Sequence, residues 1–473
     1  MNHESAELTD RPTRDRTLGL YLLLGLAMVA TFLAIRWIGE ASFVDSARSI
    51  APSDAALARP QSSHLMAQLL AGLIAIILAG RLCGTLLRYL GQPSVIGEVI
   101  AGIILGPSLL GQIAPQAVTF LFPEPLRPVL GAIAQLGVIL YMFLVGLHLN
   151  PAVLRSRAHA TVLISHASIA VPFLLGAALA LWLFRDFAGA GISFTSFALF
   201  LGLSMAITAF PVLARILTDR KMEQSELGNL ALACAAVDDF TAWCLLAFVV
   251  GIAQADPFSA LITLLSAAAY VAVMLVVVRP LLRRLTTDEN DAPAGGGLIA
   301  AMLIAVLASS LVTDVIGIHT LFGAFLLGAI IPHDSSLART FRVKLEDTVT
   351  ILLLPAFFAY TGIRTEIGLL SEPTDWLICA AIILVATLGK LGGSYWAARY
   401  AGLDRRTSAA IGVLMNTRGL MELIVLNIGL DLGILSPRLF AMMVLMALVT
   451  TFVATPILNL LSVGQTRVDA STA

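Results

Sequence analysis

Among the ionisable side chains inside long apolar stretches of the 473-residue chain, six call for a reason: Glu98, Asp238, Asp239, Lys390, Arg418 and Glu422. Each ionised Asp at bilayer depth costs about 2.5–3.5 kcal/mol to insert, so two in a row point to a use. Adjacent residues on a helix point about 100° apart. The two carboxylates therefore meet different surroundings and cannot share one proton as a facing dyad would. Burial favours a neutral carboxyl and a nearby cation favours a charged one. One Asp with a cationic partner and one without would then ionise at different pH, and the unpartnered one could trade a proton for a metal cation near neutral pH. A purely structural buried pair is the plain alternative.

The other four charges divide the same way. Lys390, in Thr387-Leu388-Gly389-Lys390-Leu391-Gly392-Gly393, lies roughly 13 Å along its helix from the inner end. That is too far to snorkel easily, so it is expected to pair with an Asp of the 227–252 helix. Arg418 and Glu422, one turn apart, either pair with each other or serve the helix break beside them, Arg418 pinning it or repelling cations. Glu98, near the inner end of its helix, is either a gating charge or an interfacial one. No two histidines have ligand spacing and no phosphate-cradling Gly-Lys-Ser/Thr loop is present. A metal enzyme and an ATP-driven pump therefore find no support, and no cofactor or nucleic-acid partner is expected.

These residues need a scaffold, and composition names it. The chain is 58% hydrophobic and 12% charged, with mean hydropathy +0.92, against roughly 25% charged in soluble domains. It reads as an all-α polytopic membrane protein. Apolar runs at 18–38, 64–90, 94–112, 127–148, 160–184, 192–217, 227–252, 257–279, 296–314, 318–332, 347–364, 374–398, 407–433 and 437–462 give about fourteen transmembrane helices. The first is read as a retained helix rather than a cleaved signal. The cysteines, Cys83, Cys234, Cys244 and Cys379, lie within these runs and read as buried small hydrophobes.

Lys and Arg alternate between loops as that count requires. Arg155 and Arg157, Arg215 to Lys221, Arg279 to Arg284, Arg339 to Lys344, and Arg399 to Arg406 fall on the inner side. Arg127, Arg185, Arg364 and Arg438 appear singly outside. Both termini are then cytoplasmic. Helices two to seven start outside and helices nine to fourteen start inside, which is the plan of two inverted six-helix repeats. The domain plan is a tail at 1–17, an extra helix and external loop at 18–63, the first repeat at 64–252, a linker helix and loop at 253–295, the second repeat at 296–462, and a short tail at 463–473.

The fifth helix of each repeat is interrupted. One carries Thr208 and a mid-span Pro211; the other carries Asn416, Thr417 and Arg418 between Gly412 and Gly419. Paired discontinuous helices that cross are where transporters hold ions, because unwound backbone can face the ion.

The run Gln92-Pro93-Ser94-Val95-Ile96-Gly97-Glu98-Val99-Ile100-Ala101-Gly102-Ile103-Ile104-Leu105-Gly106-Pro107-Ser108 resembles a hallmark of the monovalent cation:proton antiporter-2 family. Ser204–Arg215, Ala235–Leu246 and Asn416–Leu432 resemble it too, and the likeness runs from about Leu65 to Leu461. It implies a core domain moving against a dimerisation domain, in a homodimer of the bacterial inner membrane. Asp239 would bind cation and proton alternately, Asp238 would pair with Lys390, and Thr208 and Asn416 would sit at the crossing. His148 and Asn150 stand where many relatives carry an acid, and no nucleotide-binding regulatory domain follows the last helix. The expected function is exchange of Na+ or K+ for protons by alternating access. A cation channel or uniporter is the alternative. An intramembrane aspartyl protease would need acids on two facing helices, which adjacent acids cannot supply.

Overall fold

A computed structural model of the chain describes residues 65–461 apart from 149–157, 221, 223–224, 255–256, 287–295, 318 and 333–334, together with six scattered positions between 27 and 37. The expected 18–38 helix, both tails, the 40–63 loop and Asn150 lie largely or wholly outside the described residues.

Helices α1 (Leu65–Tyr89), α2 (Ser94–Leu105), α3 (Arg127–His148), α4 (Ala158–Phe187), α5 (Phe194–Ala206), α6 (Phe210–Asp219), α7 (Glu226–Gln254) and α8 (Pro257–Val273) come first. Then follow α9 (Gly296–Ile316), α10 (Thr320–Ile330), α11 (Ser336–Thr348), α12 (Leu354–Ile363), α13 (Pro373–Tyr400), α14 (Arg405–Met415), α15 (Leu420–Asp431) and α16 (Pro437–Leu460). Helices satisfy their own backbone, which a chain in hydrocarbon must do. Among the described residues, ten helical stretches are long and apolar enough to cross a membrane, and the α14–α15 pair, bent by 41°, counts as an eleventh if taken as one span. The apolar α5 and α10 are shorter.

Helix α1 shows how these elements sort their faces. Met66, Leu70, Ile74, Leu78, Leu82 and Leu86 recur every fourth residue and are exposed, as a lipid-facing stripe is. Gly72, Ile76, Gly80, Gly84 and Leu87 are buried behind them. The backbones of α1 and α2 meet so closely that a Cβ on Gly97 would lie 2.5 Å from the Gly84 nitrogen. Small residues permit that approach, and packing, not hydrophobicity, holds helices together in lipid. The same exterior explains one departure from expectation. Cys234 and Cys379 are buried, but Cys83 is half-buried and Cys244 is exposed, because the outside of a membrane bundle is itself apolar.

Helix ends also depart from the apolar runs. The chain is helical from Ser336, well before the expected 347, because Ser335 accepts the Ala338 N–H and caps the start; capping sets the end, hydropathy only the buried part. Wide π turns occur at Met274–Val278 and Val349–Leu353. Each precedes a proline, Pro280 or Pro355, whose missing N–H and ring disrupt the preceding turn.

Two packing groups result. One joins α1, α2, α3, α10 and α12; the other joins α4, α5, α7, α13 and α14. The broken pairs α5–α6 and α14–α15 bring the second group's polar residues together.

Candidate ion site at the crossed helices

Helix α5 stops at Ala206 and α6 starts at Phe210; α14 stops at Met415 and α15 starts at Leu420. The breaks touch. The Ala209 N–H donates to the Thr417 carbonyl at 3.0 Å, and the Thr208 hydroxyl, whose one proton is shared with Asp238, lies 3.0 Å from the Met415 carbonyl. Pro211, expected to cause the first break, is instead the second residue of α6. There its missing N–H is one the first helical turn leaves unused anyway, so it starts the new helix. The extended backbone of Ile207, at φ −75° and ψ 137°, ends the old one.

Broken helices leave carbonyls and N–H groups without partners, with about half a charge at each end. Cations meet the carbonyl end of α5. Arg418 donates to the carbonyls of Ser204 at 3.1 Å and Met205 at 2.8 Å, and the Lys390 ammonium donates to the Ala206 carbonyl. Arg418 also pairs with Glu422 at 3.1 Å, both side chains wholly buried. Arg418 thus pairs with Glu422 on its own helix and donates to carbonyls at the end of the other broken helix. Its own backbone is tied by Thr451, which accepts the Arg418 N–H and donates to the Arg418 carbonyl, both at 2.8 Å.

The two acids of α7 are both buried and are treated differently. Asp238 is fully occupied. Its Oδ1 accepts from Ser165 at 2.5 Å, and its Oδ2 from Ser168 at 2.6 Å and Thr208 at 2.7 Å. Lys390 completes the set at 3.1 Å. Gly389 and Gly393 let α13 reach α4 closely enough for this, since a Cβ on Gly389 would lie 3.0 Å from the Pro172 Cα. Asp239 accepts the Phe210 N–H at the start of α6, where a helix N-terminus favours an anion. Its Oδ1 has no hydrogen-bond partner, and neither does the buried Oδ1 of Asn416.

A cavity of about 740 Å³ reaches the starts of the second halves of both broken helices. Phe210 and Leu420, the first residues of α6 and α15, line its depth, while the exposed Arg88 and Glu346 stand at its mouth. Glu98 lines it from α2 and is half-buried.

A protein-family model described as sodium/hydrogen exchanger, transmembrane, matches residues 73–463. The chain belongs to that family. The chain is 44% identical over 392 residues to the Na(+)/H(+) antiporter NhaS4 of Synechocystis sp., covering 82% of this chain and 96% of that one. It is 39% identical over 397 residues to Cation/H(+) antiporter 17 of Arabidopsis thaliana, covering 83% of this chain and 48% of that one. It is 35% identical over 379 residues to K(+)/H(+) antiporter 1 of Saccharomyces cerevisiae, covering 78% of this chain and 43% of that one. The chain thus spans about half the length of the plant and yeast relatives. Its fold resembles that of the sodium proton antiporter MjNhaP1 from Methanocaldococcus jannaschii at pH 8, with TM-score 0.60 at 13% identity over 84% of this chain and 97% of that one.

Sequence reasoning missed Ser165, Ser168 and Thr451 in this exchanger-family chain. Ser165 and Ser168 did leave a signal, two hydroxyls three residues apart on one face of an apolar helix. Thr451 left none, since a threonine in an apolar helix more often bonds back to its own preceding turn.

Proposed function

We propose that this chain exchanges a monovalent cation, Na+ or K+, for protons across the membrane by alternating access, with Asp239 as the shared carboxylate. The observation that carries the reading is the contrast between neighbours. Asp238 has every oxygen engaged, whereas Asp239 keeps a buried oxygen with no partner. A buried polar atom left unsatisfied costs about 1–3 kcal/mol, which a bound proton or cation would relieve. The orphaned Asn416 oxygen at the same crossing offers a second neutral ligand. Because proton and cation occupy one carboxylate, each displaces the other, and the fluxes couple.

The roles of the remaining residues follow. Lys390 would hold Asp238 ionised and fixed, Thr208 would tie that acid to the α14 break, and Arg418 with Glu422 would lock the crossing. The matching breaks support two inverted six-helix units, 64–252 and 296–462, joined by 253–295, within a fourteen-helix plan. The cavity mouth lies beside the Arg-rich segment 339–344, which supports an inward-facing arrangement with both termini cytoplasmic. An inner-membrane homodimer completes the proposal.

The test is exchange in proteoliposomes carrying a pH-sensitive dye, with sodium and potassium compared side by side. Asp239→Asn should reduce cation-dependent proton movement to the level of empty liposomes. Movement that survives this change would remove Asp239 from the central role.

A further inference from the structure

The cavity holds more charge than an apolar vestibule needs. Arg81 and Arg88 come from α1, Glu98 from α2, and Glu346 from the end of α11. His148, at the end of α3, also borders it, with its Nδ1 2.8 Å from the Leu144 carbonyl. Glu346 is exposed and Glu98 half-buried on the cavity wall, and Phe210, whose N–H Asp239 accepts, lines the same cavity. Tyr141 of α3 lines the wall and lies within electrostatic range of all three carboxylates.

Glu98 owes its position to close packing. Beneath it Gly97 meets the backbone of Gly84, and a Cβ on Gly80 would lie 3.6 Å from the Glu98 Cγ. Glu98 is therefore held against α1 on the cavity wall. It feels the field of Arg81, yet among the described residues no ion pair or hydrogen bond claims it. A carboxylate so placed, in the cavity that reaches Phe210, attracts cations.

We infer that Glu98 is a staging residue: it gathers a hydrated monovalent cation in the cavity and sets how much cation is needed to reach Asp239, while Arg81 opposes it. This rests on the exchange reading above and deepens it by naming what governs apparent cation affinity. Glu98 acts through local concentration, so its effect belongs to half-saturation and not to the exchange step itself. Charged clefts raise local counter-ion concentration by about ten-fold or more. Here the opposing Arg81 and Arg88 leave a smaller effect.

The experiment measures proton movement in proteoliposomes against cation concentration on the cavity side, at fixed pH, for the wild-type chain, Glu98→Gln, Glu98→Asp and Arg81→Gln. Glu98→Gln should raise the half-saturating cation concentration about three- to ten-fold, with the maximal rate changed by less than about two-fold. Glu98→Asp should restore most of the shift, and Arg81→Gln should move half-saturation the other way. Added choline chloride should shrink the Glu98→Gln difference, because salt screens the field over about 8 Å at physiological strength. Unchanged half-saturation in Glu98→Gln overturns the inference. So does a shift of the same sign in Glu98→Gln and Arg81→Gln, which marks a structural role. If Glu98→Gln does not assemble, Arg81→Gln alone still decides by the sign of its shift. A wild-type chain without cation-dependent proton movement would instead overturn the exchange reading.

Discussion

Asp238 and Lys390 form a wholly buried ion pair whose members are also bonded by Ser165, Ser168, Thr208 and the Ala206 carbonyl. Removing one member of such a pair leaves a bare buried charge and costs about 3–5 kcal/mol. Lys390→Met should therefore lower the thermal unfolding temperature of the detergent-solubilised protein strongly. Lys390→Met with Asp238→Asn should recover much of the loss, because no charge is then left behind. Equal loss in the single and double variants would show that Lys390 acts on the fold mainly through the Ala206 carbonyl. Asp239 is predicted to behave oppositely. Asp239→Asn removes a group with an unsatisfied oxygen, so it should unfold no earlier than wild type while losing exchange.

At the scale of elements, close helix approach and capping are the two devices that place the site. Gly97→Val would put a Cβ about where the Gly84 backbone already lies, at 2.5 Å. Overpacking of this kind costs about 1–3 kcal/mol and would also swing Glu98 away from α1. The expected result is a lower unfolding temperature together with an altered half-saturating cation concentration. Capping matters at the exposed start of α14, where Asp404 accepts the N–H groups of Arg406 and Thr407. Hydrogen bonding by the Thr407 side chain, and then by its N–H, holds the Asp404 carboxyl below its ordinary value of 3.8. A lowered value means stabilisation that is present at neutral pH and fades as pH falls below the ordinary value toward the folded one. Asp404→Ala should lower thermal stability at pH 7, and that difference should disappear in strong acid.

On the scale of the whole molecule, the cavity is open on one side of the crossing while the other side is tied. Leu354 and Leu420 line the cavity, and the far ends of their helices meet. Arg364, just past α12, pairs with Asp431 of α15 at 2.6 Å and donates to Asn427 at 3.1 Å. Asn427 in turn donates to Thr361 at 2.7 Å. This network joins the α1–α2–α12 group to the broken α15, so a state open on that side must break it. Arg364 is 20% exposed and Asp431 60% exposed, and an ion pair so exposed contributes about 0.2–1 kcal/mol. Arg364→Gln should therefore shift the population toward the opposite-facing state by no more than about five-fold. A cysteine introduced at the cavity residue Thr85 reports this, and its labelling by a water-soluble thiol reagent on the cavity side should fall in the Arg364→Gln background. Unchanged labelling would show that the network does not hold the balance.

The sequence by itself determined the membrane class, the all-helical build, and which side chains fall inside apolar runs at a cost. Those features depend on local hydropathy and on the solvation penalty of single charges, which a linear chain displays. It also showed that α5–α6 and α14–α15 would be broken, through Pro211 in the first and through Gly412, Gly419 and the polar Asn416, Thr417 and Arg418 in the second. Tertiary structure decided the rest, because it depends on which groups meet. Only packing showed that the first break lies at Ile207–Ala209 and leaves Pro211 to begin a new helix, and that Arg418 reaches across to the carbonyls of α5. The division between Asp238 and Asp239 has the same origin. Two identical acids one residue apart point about 100° away from each other; one turns toward Ser165, Ser168, Thr208 and Lys390, and the other toward the mouth of a new helix with an oxygen to spare.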